Sequence, residues 1–307
     1  MSDRPQILLD CDPGIDDAFA IFCALRFTDL AAVTTVSGNV HIEHATRNAM
    51  HVLELAGAGD VPVHRGSATP LRVAAKFAEK VHGVAGLGAT KTPEPRCSVS
   101  AVVAVDAILD FCAGGNATIV ATGPLTNIAH AIQRDPSISE RIAHLHWMGG
   151  SLAAGNITPF AEFNAWADPD AVNVTLRSAV PLTMYGLNLT HQVRMNRSHI
   201  EALRLGGTET SRRAADFLSF YEQHGKIDGL GQPMHDPCAL LGVTHPHLFE
   251  RDASSIVAHS DDDEWRGMTK EVGSVDDRTT HNVVRHADAP AVIDLIHEAA
   301  IHPSPTT

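Results

Sequence analysis

Four aspartates fall within eight positions near the start of the chain, in the segment LLDCDPGIDDA at residues 8–18. Asp10, Asp12, Asp16 and Asp17 follow the short apolar run QILL, which predicts a buried strand. One such aspartate would be explained as the cap of the following helix. Four of them repel one another unless a cation or solvent compensates their charge, so the segment predicts a cation site.

The ligands that the sequence offers narrow the kind of cation. Hard divalent ions prefer oxygen ligands; Ca²⁺ takes carboxylates, carbonyls and waters together, whereas Mg²⁺ usually keeps more of its water. The five cysteines contain no C-x-x-C pair, and no Cys or His spacing typical of a zinc site is present. The residues alone therefore predict a calcium or magnesium site and leave that choice open.

Further polar clusters follow other predicted strands. SGN, with Asn39, follows AAVTTV; TGPLTN follows ATIVA; GGSLAAGN follows HLHWM. Ligands of open parallel sheets bind beyond the carboxyl ends of the strands, so these clusters should meet at one crevice. The segment MHDPCALL lies outside this pattern but places His235 beside Asp236 just before a predicted helix.

Strand and helix patterns alternate along the first two thirds of the chain. The predicted strands are QILLD, AAVTTVSG, VPVHRG, ATIVATG, IAHLHWMGG and VPLTMYGLN, with amphipathic helices between most of them. The later part predicts a helix at TSRRAADFLSFYEQHG, strands at SSIVAHS and KEVGSV, and a closing helix at APAVIDLIHEAAI. This order predicts an α/β fold with a mostly parallel central sheet, helices on both faces and a Rossmann-like core. No repeat or low-complexity linker is present, so we expect one domain over residues 1–307.

The composition disfavours nucleic acid and membranes as partners. The formal net charge is −13, no run of Lys or Arg occurs, and only 5% of the residues are aromatic. No apolar segment reaches the ~18 to 20 residues of a membrane span. The N-terminal segment lacks the pattern of a signal peptide, and an odd number of cysteines favours a reducing compartment, so we expect a cytoplasmic protein.

The segment LLDCDPGIDDA resembles the N-terminal signature of the inosine–uridine nucleoside hydrolase family. The similarity continues through TTVSGN, HG and GLG at residues 82–88, ATGPLTNIA, HWMGGS, EFNAWADP and HDPCALL, in the same order. Seven ordered motifs are more specific than any one of them. The resemblance implies a nucleoside hydrolase fold, a homodimer or homotetramer, and calcium-dependent hydrolysis of the N-glycosidic bond of ribonucleosides to free base and ribose.

The resemblance also implies a role for each matching position. Calcium would be bound by the carboxylates of Asp12, Asp17 and Asp236 and by the main-chain carbonyl of Thr126, with waters completing the shell. One of these waters would be the nucleophile, and Asp12 the general base. The residues around the ribose would be Asp16, Asn39, Met148, Asn156, Glu162 and Asn164, with Phe163 lining the pocket. His82 and His235 would lie on the base side as proton donors, and Asp10 fits this scheme least well.

Base recognition is expected from the segment 220–234. Gln223 and Ile227 lie one helical turn apart and could both face the pocket. The amide of Gln223 could pair with a pyrimidine edge, and the absence of a basic residue at position 227 disfavours purines. We therefore expect a preference for uridine and cytidine.

Two other functions remain open from the sequence. In a haloacid-dehalogenase-type phosphatase, Asp10 and Asp12 would form the Asp-x-Asp nucleophile motif, but Gly14 stands where Thr or Val is expected and lysines are scarce. A non-catalytic nucleoside- or pentose-binding protein could keep the same calcium pocket, although the presence of Asp12 and His235 disfavours it. Release of ribose from a nucleoside without phosphate turnover would separate the three.

Overall fold

The computed structural model describes residues 4–88, 93–225, 229–272 and 280–304. The strands are β1 (Gln6–Cys11), β2 (Asp29–Thr35), β3 (Val63–Arg65), β4 (Ala117–Ala121), β5 (Ile142–Met148), β6 (Leu182–Tyr185), β7 (Arg194–Met195), β8 (Gln232–Pro233), β9 (Phe249–Ala258), β10 (Thr269–Val272) and β11 (Thr280–Ala287). The helices are α1 (Ile15–Phe27), α2 (Ile42–Leu55), α3 (Glu79–His82), α4 (Ala104–Phe111), α5 (Thr126–Arg134), α6 (Phe163–Ala167), α7 (Pro169–Arg177), α8 (Leu187–Thr190), α9 (Arg197–Leu205), α10 (Glu209–His224), α11 (Asp236–Thr244) and α12 (Ala289–Ile301).

Nine of these strands form one sheet in the order β10-β9-β11-β6-β5-β4-β1-β2-β3. The pairs from β3 to β11 are parallel, whereas β9 pairs antiparallel with both β11 and β10. The predicted mostly parallel sheet is therefore confirmed. The sequence reading missed β11, because its only apolar pair, Val283 and Val284, is too short to predict a strand. Part of the predicted strand KEVGSV belongs to β10, and the rest lies outside the described residues.

Successive side chains of a strand point to opposite faces of the sheet, and a hydrophobic core lies on each face. Ile7 and Leu9 of β1 belong to the core that contains α1, α10, α11 and α12, whereas Leu8 belongs to the core that contains α4, α5 and α7. All three side chains are fully buried. This two-sided burial is the reason that QILL reads as a continuous apolar run rather than an alternating one.

The connections on the two sides of β1 run in opposite directions across the sheet. The chain moves from β1 through β2 to β3 on one side, and from β4 through β5 to β6 on the other. A crevice forms at such a switch point, beyond the carboxyl ends of the strands. Among the described residues, no helix has the length and apolar character needed to cross a membrane.

Candidate active site

A cavity of about 420 Å³ lies beyond the carboxyl ends of the central strands. Thr122, which follows β4, and Met148, the last residue of β5, both line it. Its lining contains ten of the residues that the sequence predicted for the site: Asp16, Asn39, His82, Met148, Asn156, Glu162, Phe163, Asn164, His235 and Asp236. Strand-end clusters that are far apart in the sequence therefore meet at one crevice.

Three carboxylates meet at one part of this crevice. Asp16 and Asp17 in the first turn of α1, and Asp236 in the first turn of α11, each place an oxygen within 4.8 Å of the other two. Burial, and then the charge of Asp17, raise the pKa of Asp16 to about 8. Burial and the charges of Asp16 and Asp17 raise the pKa of Asp236 well above its usual range. A divalent cation would favour the ionised form of all three.

Asp12 lies beside this cluster with one oxygen that no described residue hydrogen-bonds. Its Oδ2 accepts the backbone N–H of Asn39 at 2.6 Å, whereas Oδ1 is buried without a partner in the described chain. Gly38 and Gly123 enclose the carboxylate: an added Cβ would lie 2.0 Å from Oδ2 at Gly38 and 2.9 Å from Oδ1 at Gly123. A buried oxygen of this kind normally has a bound ion or water as its partner. The set of oxygen donors therefore fits a hard cation.

Asp17 ties three segments of the chain together. Its Oδ1 accepts the hydroxyl of Thr122 at 2.8 Å, and its Oδ2 accepts the backbone N–H of Gly14 at 2.9 Å and the amide of Asn39 at 3.1 Å. Burial raises the pKa of Asp17. The loops after β1, β2 and β4 are thus fixed around the carboxylates.

Thr126, which was predicted as a metal ligand, does not line the cavity. Thr126 is the first residue of α5, and its hydroxyl donates to Asp168 Oδ2 at 2.7 Å. A carbonyl at this position points along the helix toward the residue four places later. Thr122 lines the cavity and bonds Asp17, so its oxygen atoms, rather than those of Thr126, lie beside the cluster.

Asp10 does not line the cavity. Its Oδ1 accepts the hydroxyl of Thr34 at 2.6 Å and the amide of Asn127 at 2.8 Å, and burial raises its pKa to about 6. It therefore joins β1 to β2 and α5. This placement disagrees with a phosphatase in which Asp10 and Asp12 act together on a substrate.

The segment 149–167 supplies a further part of the cavity lining. The carboxylate of Glu162 accepts the backbone N–H groups of Gly150, Asn164 and Ala165 at 2.8–3.0 Å, and burial raises its pKa to about 7. The amide of Asn164 donates to the carbonyls of Thr122 at 2.7 Å and Met148 at 3.1 Å. These bonds hold polar side chains at fixed positions in the cavity that Asp16 of α1 also lines.

His82 is a buried neutral imidazole at the cavity. Its Nδ1 accepts the backbone N–H of Ile15 at 3.1 Å, so the proton of the neutral ring is on Nε2. Burial lowers the pKa of His82 to about 4. An added Cβ at Gly14 would lie 2.6 Å from Nδ1, which shows how closely the aspartate-rich turn packs on this ring.

His235 is the second buried imidazole of the cavity. Its Nδ1 lies 2.7 Å from the hydroxyl of Thr190. Burial, and then the neighbouring His191, His82 and Arg194, lower the pKa of His235 to about 3. The crevice therefore joins a group of carboxylates with two neutral imidazoles.

Comparison with known proteins agrees with this geometry. The sequence profile of the family described as inosine-uridine preferring nucleoside hydrolase matches residues 7–294. The chain belongs to this family. It is a hydrolase that acts on the N-glycosyl bonds of ribonucleosides, as the seven motifs predicted. Over 271 residues it is 37% identical to the pyrimidine-specific ribonucleoside hydrolase RihA of Shewanella baltica. The alignment covers 86% of this chain and 85% of that protein.

Two solved nucleoside hydrolase structures share the fold. The plant nucleoside hydrolase PpNRh1 superposes with a TM-score of 0.91 at 30% identity, covering 97% of this chain and 99% of that one. The purine-preferring ribonucleoside hydrolase from Gardnerella vaginalis also gives 0.91, at 29% identity, covering 97% of this chain and 98% of that one. The predicted fold class is confirmed.

Of the two predicted base-recognition residues, the one that the structure describes lies away from the cavity lining. Gln223 is exposed and does not line it, and Ile227 lies outside the described residues. In α10 the buried stripe runs through Ala214, Phe217, Leu218 and Tyr221, and a position two residues later is rotated by about 200°. Helical periodicity would thus have pointed Tyr221 inward and Gln223 outward.

Several other residues that sequence reasoning missed line the same end of the cavity: His191, Arg194, Tyr221, His224 and Gln232. His191 and Arg194 follow β6, so the strand-end rule could have found them. Gln232 belongs to β8, which pairs with β7 through Arg194 and Met195. No sequence pattern indicated that pairing.

Proposed function

We propose that this nucleoside hydrolase cleaves uridine and cytidine to free base and ribose, with a calcium ion bound at the aspartate cluster. The observation that carries the proposal is that carboxylates, amides and imidazoles line the same cavity. Carboxylates and amides surround one part, and neutral histidines line another. N-glycosidic hydrolysis needs this arrangement, because positive charge grows on the ribose while the departing base takes the bond electrons.

The residues that would hold the cation are Asp12, Asp17 and Asp236, with Asp16 close enough to contribute and with Thr122 in place of Thr126. Each offers only oxygen, which suits calcium. When bound, the ion would lower the pKa of a water molecule at the site. The carboxylates would also be relieved of their mutual repulsion.

Asp12 is the proposed general base. Its Oδ1 is the buried oxygen without a partner in the described chain, whereas Oδ2 is held by the N–H of Asn39. The carboxylate is thus fixed through one oxygen, and the other can accept a proton from water. A base held in this way keeps its orientation throughout the reaction.

Ribose binding is proposed for the segment 149–167 together with Asp16 and Asn39. Glu162 and Asn164 line the same cavity as Asp16 and are fixed by hydrogen bonds to the backbone. Hydroxyl groups of the sugar would bond these side chains. The same negative and amide oxygens would stabilise the oxocarbenium-like charge on the ring.

The preference for pyrimidines is supported by the relative from Shewanella baltica, whose name states it. The fold alone does not decide the preference, because the solved structure from Gardnerella vaginalis is described as purine-preferring and has the same architecture. In this chain Gln232, which is 3% exposed, offers an amide beside Tyr221. We propose Gln232, rather than Gln223, as the amide that meets the base.

A panel of nucleosides tests the proposed substrate. Ribose release from uridine, cytidine, inosine, guanosine and 2′-deoxyuridine is measured with calcium present. We expect kcat/KM to favour the two pyrimidine ribonucleosides by about 10-fold or more. Deoxyuridine should be a poor substrate, because a site built to bond a hydroxyl is left with unpaired groups. Faster cleavage of inosine or guanosine would contradict the preference.

Two aspartate variants show whether this crevice is the source of the activity. Asp12→Asn should lower kcat by ~10²- to 10⁴-fold. Asp10→Asn changes a carboxyl of β1 that does not line the cavity, and its loss of kcat should be far smaller. Near-normal kcat in Asp12→Asn would disprove the assignment of the base.

The cytoplasmic location, the single domain and the homodimer or homotetramer stay predictions.

A further inference from the structure

The loop between β9 and β10, residues 259–268, packs on the outside of the segment 149–167. We call the segment 149–167 the ribose wall, because it supplies six residues to the cavity lining: Gly155, Asn156, Ile157, Glu162, Phe163 and Asn164. None of the family motifs in the sequence includes the β9–β10 loop. Together with Thr269, the first residue of β10, it nevertheless bonds the backbone on both sides of the cavity residues.

Arg266 bonds the end of the helix that carries the cavity residues. It is 3% exposed, its Nε donates to the carbonyl of Trp166 at 2.9 Å, and its Nη2 donates to the carbonyl of Ala167 at 3.3 Å. Its guanidinium also lies 4.6 Å from the centre of the Trp166 ring. A cation at the carboxyl end of a helix satisfies carbonyls that have no partner within the helix. A helix as short as α6 depends on such external contacts.

Gly267 brings the backbone of the loop against the backbone of α6. An added Cβ at this position would lie 2.3 Å from the Cα of Trp166, and the φ angle of Gly267 is +76°. Both facts require glycine, the first by contact and the second by conformation. The backbone of the loop therefore contacts the helix directly, in addition to the hydrogen bonds of Arg266.

Two further contacts hold the part of the ribose wall that precedes α6. The hydroxyl of Thr269 accepts the N–H of Ser151 at 2.8 Å and donates to the carbonyl of the same residue at 2.8 Å. The ring of Trp265 lies 4.1 Å from that of Phe160. The start of the loop is itself fixed, because Asn173 of α7 bonds both the carbonyl and the N–H of Ala258.

We propose that Arg266 is a positioning residue for ribose binding: through α6 it holds Glu162 and Asn164 at the orientation that the sugar requires. This inference rests on the proposed function for its kinetic consequences. It assigns a role to the β9–β10 hairpin, which is remote in sequence from the motifs of the site. Arg266 does not line the cavity itself.

The test compares Arg266→Met with Arg266→Lys and with Arg285→Met. Arg285 of β11 is the matched control, because it pairs with Asp252 of β9 and Glu271 of β10 in the same hairpin and, among the described residues, bonds none of the ribose wall. Each variant is assayed with uridine and with its 2′-, 3′- and 5′-deoxy analogues. For Arg266→Met we expect KM for uridine to rise and kcat/KM to fall by ~10- to 100-fold, as for other misplaced binding groups.

The preference for uridine over at least one deoxy analogue should fall together with kcat/KM. A smaller amount of folded enzyme would lower kcat for all substrates equally and leave KM and these ratios unchanged, so the ratios separate positioning from general damage. Arg266→Lys keeps a cation near Trp166 and should recover part of the loss. Arg285→Met should match the wild type.

Hydrogen exchange of the α6 amides provides a readout that does not depend on turnover. Exchange at residues 163–167 should be faster in Arg266→Met than in Arg285→Met, with β1 unchanged. Should Arg266→Met fail to fold, Thr269→Val removes the two bonds to Ser151 and carries the same kinetic prediction. Unchanged exchange, or wild-type KM and ratios in an active folded variant, would overturn the positioning role. A wild type that cleaves no nucleoside would instead overturn the proposed function, and exchange alone would then decide the role of Arg266.

Discussion

At the scale of residues, the unusual feature is the pair of buried neutral imidazoles at the cavity. The N–H of Ile15 fixes the tautomer of His82, whose Nε2 carries the proton, whereas the hydroxyl of Thr190 can either donate to or accept from His235. Burial lowers the pKa of His82 to about 4 and that of His235 to about 3, so both rings are neutral at pH 7. A neutral imidazole can still donate its N–H to a base that gains electrons as it leaves.

Variants of the two histidines distinguish activation of the leaving base from damage to the rest of the site. We expect His235→Ala to lose ~10²-fold or more of its kcat on uridine if His235 is the acid. The same variant should keep most of its rate on a nitrophenyl riboside, because that leaving group is stable as an anion. Steady-state kinetics of both substrates measure the contrast. Equal losses on the two substrates would rule out the acid role, and the contrast in His82→Ala alone would assign the role to His82.

At the scale of elements, β5 contains a buried histidine outside the cavity that should make the fold sensitive to acid. Burial, and then His144 and Arg251, lower the pKa of His146 to about 3, from an ordinary value of 6.5. Below pH 6.5 the unfolded chain binds a proton at this residue that the folded chain does not. The contribution is therefore intact above pH 6.5 and is lost as the pH falls toward 3.

The free energy of unfolding should show this dependence in urea titrations at pH 7.5 and 5.5. Each pH unit below 6.5 costs about 1.4 kcal/mol for one such histidine. His146→Gln should show a smaller decrease between the two pH values than the wild type. His286→Gln changes an exposed histidine of β11 in the same sheet and serves as the control. An identical decrease in His146→Gln and wild type would contradict the prediction.

At the scale of the whole molecule, the aspartate cluster couples stability to the cation. Asp16 and Asp17 in α1 and Asp236 in α11 bring buried carboxylates together from segments about 220 residues apart in the sequence. An ion that binds only the folded chain stabilises it by about 2.7 kcal/mol at a concentration of 100 Kd. Calcium should therefore raise Tm in a concentration-dependent way, and a chelator should lower it.

Thermal unfolding with increasing calcium checks this prediction. Asp236→Asn should abolish most of the shift. Asp168→Asn changes a buried carboxyl that bonds Thr126 outside the cluster, and should keep the shift whatever its own Tm. A Tm that does not respond to calcium or to a chelator would remove the basis for a calcium site.

The sequence by itself determined the parts of the site that depend on local spacing. Asp12 directly follows β1, and Asp16 and Asp17 lie in the first turn of α1. The short connection between the two elements keeps the three residues close together. Asn39, Met148 and the other residues at strand ends were also predictable, because parallel strands bring their carboxyl ends to one edge. Asp236 could be joined to them only through the resemblance to the family, since nothing in its local sequence specifies the partner helix.

Only the tertiary structure decided which way side chains point and which distant elements meet. Thr122, rather than Thr126, lines the cavity and bonds Asp17, because α5 begins at Thr126 and directs its carbonyl along the helix. Tyr221 faces the cavity and Gln223 faces solvent because packing against the core fixes the rotation of α10. Arg266 reaches α6 from a hairpin about 100 residues later, as its bond to Trp166 records. Contacts of this kind depend on how whole elements pack, and the spacing of residues along the chain carries no information about them.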